Sequence, residues 1–388
     1  MSRGENPMSV LVANTGSTSL KLRIVAPSGE VVGAEDLAPP HAPLDVAPLE
    51  RFLSDAPRIA AVGHRIVHGG SEFREPAILD ELGMRRLEAL RLAPLHNRPA
   101  LAVTAALRQL CPQLPHVACF DTTFHSTMAD HAALYALPGE WIDRFGLRRY
   151  GFHGISHAWA SRRAAELLDR PPEALRLVTA HLGGGASLAA VAGGRSVDTT
   201  MGFTPNEGLV MATRSGSVDP GLIVWLLRDA GLTTEELDWA LEHESGLRGL
   251  SGISGDMREV VEAAASDDRA RTALGVYVHR LRAGIAAMAA AMGGLDGLVF
   301  TGGVGENSAR VRASACDQLG FLGVALDLEA NEATRGEDAE ISAAGAATRV
   351  LVVCSREELE IARSVRSVLD LEPPQPPPRP AAPEERPL

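Results

Sequence analysis

Lysine is almost absent from this sequence. Of its 37 Lys and Arg residues, only Lys21 is a lysine. Arginine replaces lysine well on a solvated surface, but poorly where a compact point charge must enter a crowded loop. Lys21 is therefore a candidate for a chemical role, and chance survival in an arginine-rich composition is the alternative.

Excess positive charge and long hydrophobic runs are also missing. The net charge of -12 and the pI of about 5.5 argue against a nucleic-acid partner or an anionic lipid surface. The alanine-rich run near residues 283–292 is too short to span a bilayer, and the N-terminus lacks the pattern of a signal peptide. We therefore expect a cytoplasmic protein with no membrane partner.

Several cysteine and nucleotide motifs are absent. Cys111, Cys119, Cys316 and Cys354 lie far apart without a C-x-x-C pair, which favours reduced thiols over a disulfide or zinc framework. No P-loop, no protein-kinase loop set and no complete G-x-G-x-x-G occurs. A nucleotide, if bound, is held in another way.

The length and one repeated pattern predict the architecture. A chain of 388 residues exceeds the usual size of one hydrophobic core, so we expect two domains with a cleft between them. Residues 9–12 and 20–25 read as strands joined by the polar turn N-T-G-S-T-S, and residues 176–180 lead into H-L-G-G-G-A-S and another apolar stretch. Two such strand–turn–strand units predict a duplicated α/β fold whose turns face one cleft.

Further elements follow from local patterns. The strand 297–301 precedes the glycine-rich element G-G-V-G-E-N, after which Ser308 opens a helix. Helices are predicted near residues 157–168, 222–229 and 269–292, and a final helix over 356–369 begins at a capping box of Ser355 and Glu358. Residues 372–388 are too rich in proline to pack, and we expect a disordered tail there.

His, Arg, Asp and Asn concentrate in a few short segments. A single histidine of this kind is most often a satisfied core residue, but that explanation is harder to apply to a whole cluster. The segments are G-H-R-I-V-H-G-G (63–70), L-A-P-L-H-N (92–97), F-D-T-T-F-H (120–125), R-Y-G-F-H-G-I-S-H (149–157), M-G-F-T-P-N-E-G (201–208) and T-R-S-G-S-V-D-P (213–220).

In order and spacing, these segments resemble the motifs of the acetate kinase family, short-chain carboxylate kinases in the superfamily of sugar kinases, heat-shock chaperone ATPases and actin. The resemblance covers almost all of residues 9–370 and includes S-G-D-M-R and T-G-G-V-G-E-N-S. It implies a duplicated two-domain, actin-like (RNase H-like) α/β fold with an interdomain cleft. The implied division is 1–125 plus 359–371 for the first domain and 126–358 for the second.

The resemblance also implies site residues. Asp121, His153 and Arg214 would be catalytic. Arg65, Val67, Leu95, Phe152 and Pro205 would bind the substrate, the last four as a small apolar pocket that favours acetate or propionate. Mg²⁺ or Mn²⁺ would be held by Asn14 and Glu357. Contacts to ATP or ADP are implied for Lys21, for His181, Leu182, Gly183, Gly184 and Gly185, for Asp256, Met257 and Arg258, and for Gly303, Val304, Gly305, Glu306 and Asn307.

The charge of a carboxylate substrate explains why these residue types would be needed. A carboxylate with a pKa of roughly 4 to 5 is ionised at neutral pH, so it needs no general base to attack phosphorus. The problem is electrostatic: two anions must meet, and cationic donors such as Arg65, His153 and Arg214 would stabilise the transition state. Such a substrate carries no proton to exchange, so a proton-donor role for Asp121 fits badly, and we expect Asp121 to orient Arg65 or a metal-bound water.

Alternatives remain open at this point. One alternative is that Glu357 is an acidic residue that interacts with its helix dipole, and another is that Asp121 and Arg65 form a plain ion pair. Gly184 stands where the family usually carries Asn, which removes a side-chain amide and leaves donor affinity open. The rival functions are a propionate or butyrate kinase, a pyrophosphate-using acetate kinase, and a nucleotide-switched protein of the chaperone or actin kind. The resemblance further implies a homodimer.

Overall fold

The structure is a computed structural model that describes residues 9–16, 19–39, 44–90 and 94–371, without the side chains of residues 94–96. The proline-rich tail predicted over 372–388 lies outside the described residues. Where the chain is described, it forms two six-stranded sheets with helices packed against them.

The first sheet has the strand order β3-β2-β1-β4-β6-β5. Strands β1, β4 and β6 run parallel to one another, whereas β2, β3 and β5 pair in antiparallel fashion. Their bounds are β1 Ser9–Thr15, β2 Leu20–Val25, β3 Val31–Leu37, β4 Ile59–Ile66, β5 Ala77–Ile78 and β6 His116–Phe120.

The second sheet repeats this topology, with the order β11-β12-β10-β7-β8-β9. Strands β7, β10 and β12 are parallel, β7–β8–β9 form an antiparallel meander, and β11 is an antiparallel edge strand. The bounds are β7 Arg176–Leu182, β8 Ala186–Ala192, β9 Arg195–Thr199, β10 Gly297–Thr301, β11 Ala339–Glu340 and β12 Arg349–Val352. The predicted duplication is confirmed, because each half begins with a three-stranded antiparallel meander. The first strand of each meander also pairs with a parallel strand, β1 with β4 and β7 with β10.

The predicted helices are present with small shifts of their ends. The described α-helices are α1 Ala47–Ser54, α2 Glu81–Ala89, α3 Pro94–Leu110, α4 Asp130–Ala133, α5 Gly139–Phe145, α6 Gly154–Leu167, α7 Pro220–Arg228, α8 Thr234–Trp239, α9 Gly246–Ser251, α10 Met257–Ala263, α11 Asp268–Ala291, α12 Gly302–Asn307, α13 Ala309–Cys316, α14 Leu328–Ala333 and α15 Glu357–Val368. No described helix is long and apolar enough to cross a membrane.

The last helix returns the chain to the first sheet. Ile361 and Val365 of α15 are fully buried and belong to one cluster with Val10 and Val12 of β1. A Cβ at Gly63 of β4 would lie 2.7 Å from Val365 Cγ2 and 2.8 Å from Ile361 Cγ2, so glycine is what lets the helix come this close. The last helix of the chain therefore forms part of the hydrophobic core of the first sheet.

Helix α6 joins the two halves. Its residue Ile155 packs in the cluster formed by α15 and the first sheet, whereas Ala160 and Ala164 pack against Leu177 and Val191 of the second sheet. Small residues on one helix face permit this close packing. The start of α6 thus lies where the two sheets meet.

One local prediction, the capping box of the last helix, is wrong. Helix α15 has Arg356 at its N-cap with no side-chain capping bond, because the backbone N–H of Ser355 donates instead to Glu306 Oε1 at 2.9 Å. The predicted capping box is therefore not formed. The glycine-rich segment forms the short helix α12, and Ser308 opens the following helix as predicted, by accepting from the Val311 amide.

The four cysteines agree with the sequence prediction. Cys111, Cys119, Cys316 and Cys354 are buried and free. Burial raises the pKa of the Cys119 thiol to about 12, so that thiol stays protonated and unreactive.

Candidate active site

The carboxyl ends of parallel strands from both sheets bring the polar segments together. Asn14 is the penultimate residue of β1, Arg65 lies near the end of β4, and Asp121 directly follows β6. His181 lies near the end of β7 in the second sheet. In α/β folds this edge is where ligands bind, because loops and free backbone groups converge there.

Arg65 and Asp121 form a buried bidentate ion pair. Nε donates to Oδ1 at 3.0 Å and Nη2 donates to Oδ2 at 2.6 Å, with the side chains 13% and 1% exposed. Burial alone would lower the pKa of Arg65, but Asp121 and Glu357 outweigh it and raise that pKa. Asp121 thus holds one edge of a charged guanidinium and leaves Nη1 turned away from the pair.

The third nitrogen of Arg65, Nη1, is linked through Asn14 to Glu357 at the start of the last helix. Nη1 donates to Asn14 Oδ1 at 3.2 Å, and Asn14 Nδ2 donates to Glu357 Oε2 at 2.7 Å. Burial alone would raise the pKa of Glu357, but Arg65, His181 and Asn14 together outweigh burial, so the pKa is lowered. Glu357 is therefore an ionised carboxylate at the first residue of α15, where it also meets the positive end of the helix dipole.

His153 occupies a left-handed backbone position at the start of α6. Its φ is 55°, and the next residue, Gly154, donates its N–H to the Asp121 carbonyl oxygen at 2.9 Å. A Cβ at Gly154 would overlap that same oxygen, so this close contact requires glycine. The contact places the His153 ring beside the residue that holds Arg65, with its centroid 4.3 Å from that of His181.

The charge state of His153 differs from our expectation of a cation. Burial, the neighbouring histidines and the Arg65 and Arg214 guanidiniums together lower its pKa well below the usual value. A neutral imidazole carries one N–H and one lone pair, so the tautomer decides which nitrogen can donate. Nδ1 lies 2.9 Å from Ser187 Oγ, and Nε2 has no hydrogen-bond partner among the described residues.

The glycine turn after β7 faces this ring. A Cβ at Gly185 would lie 3.2 Å from His153 Nε2 and 3.7 Å from Arg214 Nη1. The Gly183 amide donates inside the turn to the Gly185 oxygen at 2.9 Å, whereas the amides of Gly184 and Gly185 have no partner within the described ranges. Two free amides, an imidazole edge and a guanidinium therefore surround one small volume, an arrangement suited to a phosphoryl group.

Arg214 has few strong partners. Nη1 donates to the Pro205 oxygen at 3.3 Å, and Nε lies 4.0 Å from Glu242 Oε2, with the side chain 20% exposed. Burial lowers the pKa of Arg214, and Glu242 partly offsets this. Its remaining N–H groups are available to an anion in the cleft.

The two segments expected to contact the nucleotide border the same turn. The first residue of α12, Gly302, approaches so closely that its Cβ would lie 2.8 Å from the Leu182 oxygen. Ala212 donates its amide to the Gly184 oxygen at 3.0 Å, and a Cβ at Gly255, next to Asp256, would lie 2.8 Å from the Ala212 oxygen. Residues 256–258 and 303–307 thus lie on either side of the turn.

Within these segments, some side chains have structural partners. Glu306 Oε1 accepts from the amides of Gly302 and Ser355, each at 2.9 Å, and so joins the start of α12 to the segment before α15. The fully buried Arg312 donates to the oxygens of Gly305 and Glu306 and so holds the end of α12. Arg258, by contrast, is 90% exposed and paired only with Asp256 at 2.6 Å.

Lys21 lies on β2 in register with Asn14 on β1, and its side chain is exposed. Its positive charge contributes to the lowered pKa of Glu357. The lone lysine therefore acts on the site electrostatically.

The expected apolar pocket is partly described. Val67 is half-buried and packs against the cluster that contains the buried Phe152, and Pro205 is buried as well. The side chain of Leu95 lies outside the described residues. The structure thus packs Val67 against the cluster of Phe152, whereas Pro205 contacts Arg214 through its carbonyl oxygen.

Some neighbouring residues had no role in the sequence-based map. Thr179 and Ser187 are fully buried on β7 and β8, and His157 is fully buried one turn along α6 from His153. The spacing of His153, Ser156 and His157 places all three on one helix face, a pattern that periodicity could have identified. The strand hydroxyls carry no such signal, because a serine or threonine in an apolar strand reads as packing.

Metal ligands are sparse at this site. The described residues contain no group of three or more His, Cys, Asp or Glu able to hold a metal ion. Asn14 and Glu357 offer one amide oxygen and one carboxylate. Mg²⁺ is commonly held by only one or two carboxylates, with waters and substrate phosphates as its other ligands, so this donor set fits it.

The chain is similar to known proteins in both sequence and fold. Residues 46–363 match the model of the Acetokinase family. The acetate kinase of Gloeobacter violaceus is 54% identical over 81% of this chain and 78% of its own length. Two crystal structures are similar: acetate kinase from Porphyromonas gingivalis, with a TM-score of 0.85 and 38% identity over 93% of this chain and all of that one, and a propionate kinase from Francisella tularensis, with a TM-score of 0.83 and 33% identity over 92% and 98%. The match of both sequence and fold over most of the chain confirms the resemblance read from its motifs, and the chain belongs to the acetokinase family.

Proposed function

We propose that this protein reversibly transfers the γ-phosphoryl group of ATP to acetate, giving acetyl phosphate and ADP. The observation that carries the proposal is the approach of the His153 ring and the Arg214 guanidinium to Gly185 of the glycine turn, with the Arg65 guanidinium near enough to His153 to lower its pKa. That arrangement suits an acceptor that is already an anion.

In the proposed reaction, an acetate oxygen attacks the γ-phosphorus while the bond to the bridging β,γ-oxygen breaks, and that electron pair leaves with ADP. Negative charge spreads over the three equatorial phosphoryl oxygens. The Gly184 and Gly185 amides, His153 and Arg214 would donate to these oxygens. Loss of one such donor costs on the order of 3 kcal/mol, or about a hundredfold in rate.

Asp121 is assigned a positioning role toward Arg65. It occupies the Nε and Nη2 atoms of the guanidinium at 3.0 and 2.6 Å, so Arg65 presents its remaining nitrogen in one orientation. A carboxylate buried in a bidentate contact is not available as a proton donor. Of the two roles expected from sequence, the contacts support orientation of Arg65.

Asn14 and Glu357 would hold Mg²⁺, or Mn²⁺ in its place, with the nucleotide phosphates. When bound, the ion neutralises phosphate charge and orients the transferring group. Lys21 would hold a phosphate as a point charge, and Asp256–Arg258 and Gly303–Asn307 would contact the nucleotide. ATP as cosubstrate favours a cytoplasmic location.

The proposed cleft would lie between two domains that could move relative to each other. We assign residues 1–125 with 359–371 to one domain and 126–358 to the other, which is supported by the packing of α15 on the first sheet. Helix α6 would be the element that both bodies share during closure, since it contributes to core clusters of both.

Helix α7 supports a homodimer. It carries the apolar run Leu222–Leu227, yet none of its residues is buried, and Val224 and Trp225 are each 52% exposed. An exposed apolar helix of this kind is typical of an interface with another chain. Sedimentation should show a dimer, and Trp225→Glu should shift it toward monomer; a monomeric wild-type chain would refute this assignment.

The reaction can be tested directly. Purified protein is incubated with ATP, Mg²⁺ and acetate, propionate or butyrate, and hydroxylamine traps any acyl phosphate as the hydroxamate. Hydroxamate that depends on both ATP and acetate is the expected result. ATP hydrolysis that does not depend on acetate, with no trapped product, would exclude the kinase proposal and favour a nucleotide-switched protein.

Propionate is the second candidate acceptor, because one of the similar crystal structures is a propionate kinase. Val67, Phe152 and Pro205 would contact the alkyl group, and one methylene in such a pocket is worth about 1–3 kcal/mol of discrimination. The ratio of kcat/KM for acetate and propionate decides between them. Replacing ATP by pyrophosphate in the same assay tests the alternative donor.

A further inference from the structure

We propose that Thr179, His157 and Ser187 form a buried hydrogen-bond relay that sets the tautomer of His153, so that its proton lies on Nε2 and faces the glycine turn. This inference rests on the proposed function for its catalytic consequence. The tautomer itself is a property of the protein alone.

The relay is continuous. His157 Nδ1 lies 2.8 Å from Thr179 Oγ1, His157 Nε2 lies 2.8 Å from Ser187 Oγ, and Ser187 Oγ lies 2.9 Å from His153 Nδ1. Thr179, His157 and Ser187 are each 0% exposed, so water cannot substitute for a missing partner. Burial and the neighbouring histidines also lower the pKa of His157 well below its usual value, so its ring is neutral and carries a single N–H.

Three proton arrangements satisfy all three contacts, since each hydroxyl and each neutral ring has one proton to donate and a hydroxyl oxygen can accept twice. In the outward arrangement, Thr179 donates to His157, His157 donates to Ser187, and Ser187 donates to His153 Nδ1. In the inward arrangement every bond is reversed, and His153 donates from Nδ1. In a third arrangement, Thr179 donates to His157, and Ser187 accepts from both His157 and His153 Nδ1.

Burial selects the outward arrangement. In the inward one, Thr179 Oγ1 would accept from His157, and its own proton would need another acceptor. No other hydrogen bond of that hydroxyl is present in the described part of the chain, and the same holds for the Ser187 hydroxyl, whose proton would lack an acceptor in the third arrangement. A buried donor without an acceptor is unfavourable, whereas the outward arrangement leaves the final donor, His153 Nε2, at the open side of the site.

The catalytic consequence follows from where that nitrogen lies. Nε2 would be 3.2 Å from a Cβ at Gly185, beside the two free amides of the turn. With its proton on Nε2, His153 donates to an anionic phosphoryl oxygen, whereas in the other tautomer it would present a lone pair to that oxygen and repel it. Thr179, His157 and Ser187 are therefore positioning residues that act through His153.

Two variant pairs test the relay kinetically. Ser187→Ala removes the donor to His153, and Ser187→Thr keeps a hydroxyl. Thr179→Val removes the far hydroxyl with little change of shape, and Thr179→Ser keeps it. We expect Ser187→Ala to lower kcat about tenfold with the KM values for ATP and acetate unchanged, because only the phosphoryl contact is weakened. Thr179→Val should lower kcat several-fold, and the hydroxyl-retaining variants should recover most of the loss.

The tautomer is read independently by ¹⁵N NMR of histidine-labelled protein, with the His153 signals identified by their absence in His153→Gln. We expect the wild-type His153 proton on Nε2, and a mixture of tautomers in Ser187→Ala. A wild-type proton on Nδ1, or an unchanged kcat in both hydroxyl-deleted variants, would overturn the proposal. If the wild type makes no acyl phosphate, the proposed function fails while the NMR result still decides the relay.

Discussion

Gly184 offers a clear test of the phosphate turn. Its φ is not in the left-handed region, and a Cβ built there meets nothing within 4 Å, so Gly184→Asn fits without strain or collision. The neighbouring amides of Gly184 and Gly185 have no partner among the described residues, which places a new side-chain amide beside groups already open to an anion. We expect Gly184→Asn to tighten binding of the phosphoryl donor.

The size of this effect can be bounded. A hydrogen bond to a charged group contributes about 1.5–3 kcal/mol. Ordering the Asn side chain costs roughly 0.5–1.5 kcal/mol, which leaves a net gain of about 1 kcal/mol, or a fivefold lower KM for ATP. Turnover should change little, since the amide binds substrate and transition state alike.

The matched control is Gly184→Ala, which adds the Cβ without the amide. Initial rates at varied ATP and saturating acetate should give a wild-type KM for the alanine variant and a reduced one for the asparagine variant. Equal KM values in the two variants would show that the donor phosphates do not lie at this turn, and the site map would need revision.

The remaining predictions concern charge. Arg65→Ala and Arg214→Ala should each lower kcat/KM at least a hundredfold with little change in circular dichroism, whereas Arg271→Ala, whose side chain is 56% exposed on α11, should leave it unchanged; wild-type rates in the first two would contradict their placement. Lys21→Arg should weaken ATP binding measured by calorimetry despite the retained charge, and an unchanged affinity would leave the lone lysine without a role. Burial lowers the folded-state pKa of His125 to about 4, below the unfolded value of about 6.5, so its neutral form stabilises the protein above pH 6.5 and that contribution, about 3 kcal/mol, is lost as the pH falls toward 4. Urea unfolding at several pH values should show stability falling over that range, and a flat profile would contradict the burial of a neutral ring.

Much of the fold was predictable because its signals are local. Alternating and continuous apolar runs marked the strands, and the paired strand–turn–strand units marked the duplication that the two sheets display. The misplaced cap of α15 shows where local reading fails. Ser355 and Glu358 have the right spacing, but the Ser355 amide is used by Glu306, which is 49 residues away in sequence.

The sequence predicted which residues belong to the candidate site, but not how their side chains contact one another. The motifs pointed to Arg65, Asp121, His153 and Arg214, while the contact from Asp121 to Arg65 spans 56 residues and that from Asn14 to Glu357 spans 343. Contacts this distant in sequence depend on how the sheets pack. The charge state of His153 likewise follows from burial and from neighbours that are remote in sequence.

By itself, the sequence determined the family, the α/β class, the glycine turns and the rarity of lysine, because each is recorded in residue types at short spacing. Only the tertiary structure decided that His153 is neutral, that Asp121 holds Arg65 by two nitrogens, and that buried hydroxyls on β7 and β8 lie against His157. These properties depend on burial and on hydrogen-bond direction, which arise when distant segments pack together. A serine or threonine acquires such a role from its neighbours in space.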